Sequence, residues 1–130
     1  MRVIAVRAVV VVALAGAAGC GGGSGSPSSP GPAGPITINI VGERGASSFS
    51  PNPAQAAGEM VVFRNTDTVV HRVRLNDLSL DTGDIAPGAT STAVRMPVAG
   101  TNYHCMLHTS MIGAVAATGS APPRCTGDYC

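Results

Sequence analysis

Apolar and polar positions alternate with a period of two in several short stretches of the chain. Ile36-Thr37-Ile38-Asn39-Ile40 puts three isoleucines on one side and two polar residues on the other, the pattern of a half-buried strand. Glu59-Met60-Val61-Val62-Phe63-Arg64-Asn65 reads as the next strand. Val69-Val70-His71-Arg72-Val73-Arg74-Leu75 follows, with His71, Val73 and Leu75 on one face and both arginines on the other. Between the first two, residues 42 to 58 are turn-rich, punctuated by Gly45, Pro51, Pro53 and Gly58. Pro87-Gly88 marks a turn before a strand from Thr90 to Arg95, and Asn102 to Cys105 and Ile112 to Thr118 supply the last two. Outside the N-terminal segment no stretch carries apolar residues at helical spacing. Many short strands joined by Gly/Pro turns predict an all-β sandwich.

The N-terminal segment changes the picture of where this domain works. Arg2 and Arg7 precede Ala8 to Ala18, an uncharged apolar run that is too short to span a bilayer. Small residues Ala17-Ala18-Gly19 then lead into Cys20. This is the layout of a secretory signal, here residues 1–19. A small-residue triplet ending in Gly before Cys also resembles the lipobox of bacterial lipoproteins, in which the Cys is diacylated and becomes the new N-terminus. The resemblance implies lipidation of Cys20 and an exported chain anchored to the cell membrane, facing the periplasm or the cell exterior. Ala17 stands where Leu is more usual, so plain secretion is the alternative. From Gly21 to Pro35 the chain is only Gly, Ser, Pro and one Ala. Residues 20–35 therefore read as a flexible tether, averaging roughly 20 Å end to end.

With 130 residues the chain has room for one folded domain, taken as 36–118, and a tail, 119–130. Removing Arg2 and Arg7 leaves six of the eight basic residues against seven acidic ones, a net of −1, and there is no Lys. That balance excludes the basic stripe of a nucleic-acid binder. It also gives little long-range steering, so a partner is met through a local patch. Of the four cysteines, Cys125 and Cys130 lie five positions apart near the C-terminus. In an oxidising compartment they are expected to pair as a disulfide.

The remaining chemistry is concentrated in Tyr103-His104-Cys105-Met106-Leu107-His108-Thr109-Ser110-Met111. It sets a thiolate, an imidazole and a thioether at Cys-x2-His-x2-Met spacing, and His71 offers a second imidazole from a strand face. Alone, each residue has a bland reading: His71 as a hydrogen-bonded structural residue, Cys105 as a small buried hydrophobe, Met111 as core filler. Together, two imidazoles, a thiolate and a weak axial thioether make a blue-copper site. Zinc could occupy the same atoms, although a thioether is an unusual zinc ligand. A Cys-His nucleophile is not supported, because no third group is placed to orient the His.

These residues, with Asn65-Thr66-Asp67-Thr68-Val69-Val70-His71 before them, resemble the small blue copper proteins, the cupredoxins. The short Cys-x2-His-x2-Met loop is similar to that of amicyanin-like members, and Asn65 lies six residues before His71 as an Asn does there. The resemblance implies a Greek-key β-sandwich holding one copper per chain. It implies His71, Cys105 and His108 as equatorial ligands and Met111 as the axial one, with Asn65 tying the His71 loop to the Cys105 loop. Arg72 stands where the family often has Asn, so any brace from that position is altered. His104 should face away from the site; Met106, Met60 and Met96 should be packing. By the same resemblance His108 is the electron port, in an apolar patch with Leu107, Ile112 and Pro97, where redox partner proteins dock.

The implied function is one-electron transfer by a monomer in the cell envelope, without catalysis of a substrate reaction, since a saturated copper leaves no open position. The alternatives are a module that carries, stores or delivers copper, and a structural sandwich whose site is vestigial or zinc-filled.

Overall fold

A computed structural model describes residues 34–126 and residue 130. The chain divides into two units, Met1–Gly31 and Pro32–Cys130, and the described residues all belong to the second. The expectations for residues 1–19, for Cys20 and for most of the tether lie outside the described residues.

The isoleucine alternation builds β1, Ile36–Ile40, in which Ile38 and Ile40 are fully buried and Thr37 is exposed. A single 3-10 turn, Gly45–Ser47, follows, and then two short strands, β2 (Phe49–Ser50) and β3 (Ala54–Gln55). β4 (Met60–Asn65) and β5 (His71–Leu75) occupy the two predicted runs, and β6 is Asp81–Ile85. β7 (Val94–Arg95), β8 (Thr101–Cys105) and β9 (Ile112–Ala116) complete the chain of strands.

They form two sheets, ordered β2-β1-β4-β7 and β3-β9-β8-β5-β6. β1 runs parallel to β4 and β3 parallel to β9; the remaining pairs are antiparallel. Ile38, Ile40, Val61 and Phe63 from one sheet meet Val73, Leu75, Tyr103 and Val115 from the other in a single apolar cluster. Its centre is an edge-to-face trio: Phe49 and Phe63 lie with ring centroids 4.9 and 5.3 Å from that of Tyr103. Gly113 is buried against that ring, and a Cβ there would overlap Tyr103.

The predicted sandwich is present, with four differences. The strand expected from Thr90 to Arg95 is only Val94–Arg95, with Thr90 in an isolated bridge to Arg64. β2 and β3 lie inside the stretch read as turns. β6 was not anticipated: only Ile85 is buried, with Asp81 and Asp84 exposed and Thr82 and Gly83 half-buried, because it is an edge strand paired only with β5. Val69 and Val70 lie before β5 rather than in it, and both are exposed. Cys125 and Cys130 are joined by a disulfide bond. The tail is held to the second sheet by Asn102 Nδ2, which donates to the carbonyl of Pro123 across 3.1 Å.

Candidate metal centre

β5 and β8 are neighbours with Val73 opposite Cys105. Side chains alternate along β5, so His71, two residues before Val73, shares the inward face and lies at the end of the sheet where β8 finishes. Adjacent strands thus bring a buried imidazole beside a buried thiol although 34 residues separate them in sequence. Cys105 Sγ lies 3.6 Å from Nδ1 of His71 and 3.7 Å from Nδ1 of His108. One donor atom from each residue falls within 4.8 Å of the others. A triangle with sides of this order has its centre roughly 2 Å from each corner, which is a metal–ligand bond length.

The chain after Cys105 turns back tightly. Met106 N–H donates to the carbonyl of Arg72 across 2.8 Å, Met111 N–H to that of His108 across 2.9 Å, and Cys105 N–H to that of Met111 across 3.0 Å. The Ser110 hydroxyl donates to Glu43 Oε1 across 2.6 Å, tying this loop to the segment after β1. Met111 is fully buried where the loop enters β9. His71 and Cys105 are fully buried, whereas His108 is half-buried, and the two imidazole centroids are 4.9 Å apart.

Asn65 braces the turn before His71. Its Nδ2 donates to the carbonyls of Val69, at 2.7 Å, and Ile85, at 2.9 Å, while its Oδ1 accepts the Asp67 N–H at 2.9 Å. The sequence expectation had Asn65 reaching the Cys105 loop. Its bonds instead fix the His71 turn against β6, because Asn65 ends β4 beside that turn. Asp67 was missed altogether, although it sits four residues before His71 in a polar turn, which was the signal available. Its Oδ2 lies 2.9 Å from His71 Nε2, and Oδ1 accepts the Thr68 N–H at 2.7 Å. The His71 bond, and then that of Thr68, hold the Asp67 carboxyl below its ordinary range.

His104 is buried on the opposite side of β8, where its Nδ1 lies 2.8 Å from Asn76 Oδ1, and it is not part of the donor group. Burial, and then the charge of Arg74, lower its affinity for a proton. Arg72 turns outward and makes a two-pronged pair with Asp81, at 2.7 and 2.9 Å. Met106 Sδ lies 3.9 Å from Arg74 Nη1, and Met96 is buried in the core. Leu107 is 52 % exposed beside His108, and Val69 and Val70 are exposed beside His71. Pro97 does not join them. Its carbonyl accepts the N–H groups of Gly58 and Gly100 before β8 begins, at the end of that strand away from Cys105.

Two imidazole nitrogens and a thiol sulfur, with a methionine at the end of the same loop, fit copper better than oxygen-seeking magnesium or calcium. Cys105 is the free cysteine among the described residues, so its sulfur is available as a ligand.

No protein-family model matches the sequence, and no curated protein matches it. Solved structures do. The Cu(I) form of a methionine-to-alanine variant of amicyanin is 20% identical, covers 65% of this chain and 83% of that chain, and has a TM-score of 0.53. A reduced Cu(I) form at pH 4 of a proline-to-glycine amicyanin variant is 22% identical with the same coverage and a TM-score of 0.51. An oxidized methionine-to-lysine amicyanin variant is 20% identical, again at 65% and 83%, with a TM-score of 0.53. Two sheets in this order, with the His-Cys-His group at one end, therefore have the cupredoxin fold of amicyanin.

Proposed function

We propose that this chain is a one-electron carrier with a single copper at His71, Cys105, His108 and Met111. The observation that carries the reading is the convergence of two imidazole Nδ1 atoms, at 3.6 and 3.7 Å, on the one free buried thiol of the described residues. Copper held there would exchange one electron between its Cu(I) and Cu(II) states. The chain supplies the rest. Strands β5 and β8 hold His71 and Cys105 against rearrangement, and the hydrogen-bonded loop from Cys105 to Met111 holds His108, so the donors need move little when charge changes. His108, the half-buried ligand, offers the path to the surface. Leu107, Val69 and Val70 supply the apolar ground on which a redox partner protein docks transiently, as small electron-transfer contacts do.

The same reading puts the domain in the cell envelope. Residues 1–19 act as a signal, Cys20 carries a lipid, and residues 20–35 tether the domain, 36–118, as a monomer to the membrane. A full set of four protein ligands leaves no position for a substrate, so no enzymatic turnover is assigned.

The test is optical and EPR spectroscopy of the purified chain on addition of Cu(II). Intense absorption toward the red, bleached reversibly by ascorbate and abolished in Cys105→Ser, is the expected result. Weak colour with ready loss of copper to a chelator selects a copper-delivery module instead, and no metal uptake removes the proposal. Mass spectrometry of the mature N-terminus decides the lipid on Cys20.

A further inference from the structure

We infer that Asp67 is a positioning residue for this centre: its carboxylate sets the tautomer of His71 and strengthens that imidazole as a ligand. The inference rests on the copper reading above and adds a residue that the Cys-x2-His-x2-Met spacing does not contain.

A neutral imidazole carries one N–H and one lone pair, and which nitrogen has which is set by its surroundings. His71 is fully buried, so water does not settle the matter. Its Nε2 lies 2.9 Å from Asp67 Oδ2, and an ionised carboxylate can only accept. The proton therefore sits on Nε2. The lone pair is left on Nδ1, the atom that faces Cys105 Sγ at 3.6 Å. The opposite tautomer would aim an N–H at the metal position and a lone pair at a carboxylate, which is unfavourable at both ends.

Asp67 is itself held. Its N–H is bonded to Asn65 Oδ1 at 2.9 Å, and its Oδ1 to the Thr68 N–H at 2.7 Å. Gly42, buried, lies behind the carboxylate, with its Cβ direction 3.5 Å from Oδ2. The side chain is still 24 % exposed, so it keeps its charge without a large desolvation cost. Among the described residues, Asp67 is the one carboxylate bonded to either ligand imidazole. The two histidines are thus unlike: His71 is buried and anchored by a charge, while His108 is half-buried at the surface. A carboxylate on the far N–H raises the basicity of a ligating imidazole. It should favour Cu(II) over Cu(I) and so lower the reduction potential.

The experiment has a metal-free arm and a copper arm. In the metal-free chain, nitrogen NMR of the His71 ring should show one Nε2–H tautomer in the wild type and a mixture in Asp67→Ala. In the copper-loaded chain, removing such a partner typically weakens metal binding about 10–100-fold. If Cu(II) loses about tenfold more than Cu(I), the reduction potential of Asp67→Ala rises by about 59 mV. Asp67→Asn, which keeps an oxygen for the Thr68 N–H, serves if the alanine variant fails to fold, and should also raise the potential. A variant that keeps the single Nε2–H tautomer and the wild-type potential overturns the inference. A wild type that takes up no copper overturns the functional reading instead, and the metal-free arm then decides the role of Asp67 by itself.

Discussion

The backbone N–H of Cys105 and the carbonyl of Met111 are joined by a 3.0 Å hydrogen bond, so the thiol ending β8 and the thioether entering β9 are held in one closed turn. The bond belongs to the backbone and survives a change of side chain. That separates two possible jobs of Met111, packing and ligation. Met111→Leu conserves volume and should cost under about 1.5 kcal/mol of stability. If Met111 is the weak axial ligand proposed above, it would instead tune the potential. The variant should therefore stay folded, stay coloured and change its reduction potential. A redox titration that superimposes on the wild type would make Met111 core filler only.

His108 is the most exposed residue of the His71, Cys105 and His108 group, and it follows Leu107, whose side chain is half exposed. His108→Gly should leave the copper bound by His71 and Cys105 but open one coordination position. The expected outcomes are slower electron exchange with a small redox partner and binding of added imidazole that restores the spectrum. Stopped-flow kinetics with an imidazole titration check both. Unchanged rates would remove His108 as the port.

Asn65 serves three partners from one fully buried amide. Asn65→Ala leaves the carbonyl of Ile85 without this donor and frees the turn that carries Asp67 and His71. Stranding a buried polar group costs roughly 1–3 kcal/mol. A lower urea midpoint, together with faster copper loss to a chelator, is the expected result. A lower midpoint with unaltered copper retention would confine Asn65 to stability.

Gly113 faces Tyr103 with no room for a methyl group. Overfilling a packed core costs about 1–3 kcal/mol, so Gly113→Ala should lower the melting temperature. Tyr103→Leu in the same chain should recover part of the loss, because it withdraws the ring that the methyl would strike. Non-additivity in this double-mutant cycle is the measurement; strict additivity would mean the two residues do not compete for space.

What the sequence made legible follows from which forces are periodic. His71, Val73 and Leu75 could be put on one face because β5 is buried on one side and alternates strictly. The Cys105, His108 and Met111 spacing was legible because a single tight loop carries all three. β6 was not, since Asp81, Gly83 and Asp84 give no apolar stripe and only Ile85 needs the core. The misplacement of Val69 and Val70 has a similar cause: β-branched residues suggest a strand, but Asn65 binds the Val69 carbonyl and keeps that backbone in the turn. Pro97 was misplaced because strand direction decides which end of β8 it meets. Asp67 and Glu43 act through turn geometry and a contact between distant segments, neither of which has a period.

Arg72 stands next to His71 yet works on the outer face, where its guanidinium grips Asp81 with two hydrogen bonds. That bond holds the Asp81 carboxyl below its ordinary range. A depressed folded value means the unfolded chain takes up the proton first as acid is added. The stabilisation is therefore complete above the unfolded carboxylate value of about 3.9 and is lost as pH falls through the lower, folded one. Both side chains are partly exposed, so the pair contributes little and is screened by salt. Asp81→Asn should accordingly lower stability slightly at neutral pH and flatten the acid limb of the urea midpoint against pH. The difference from wild type should shrink in about 1 M salt, where the Debye length is about 3 Å. If the two acid limbs coincide at low salt, the pair does not link folding to pH, and Arg72 only covers the edge of the sheet.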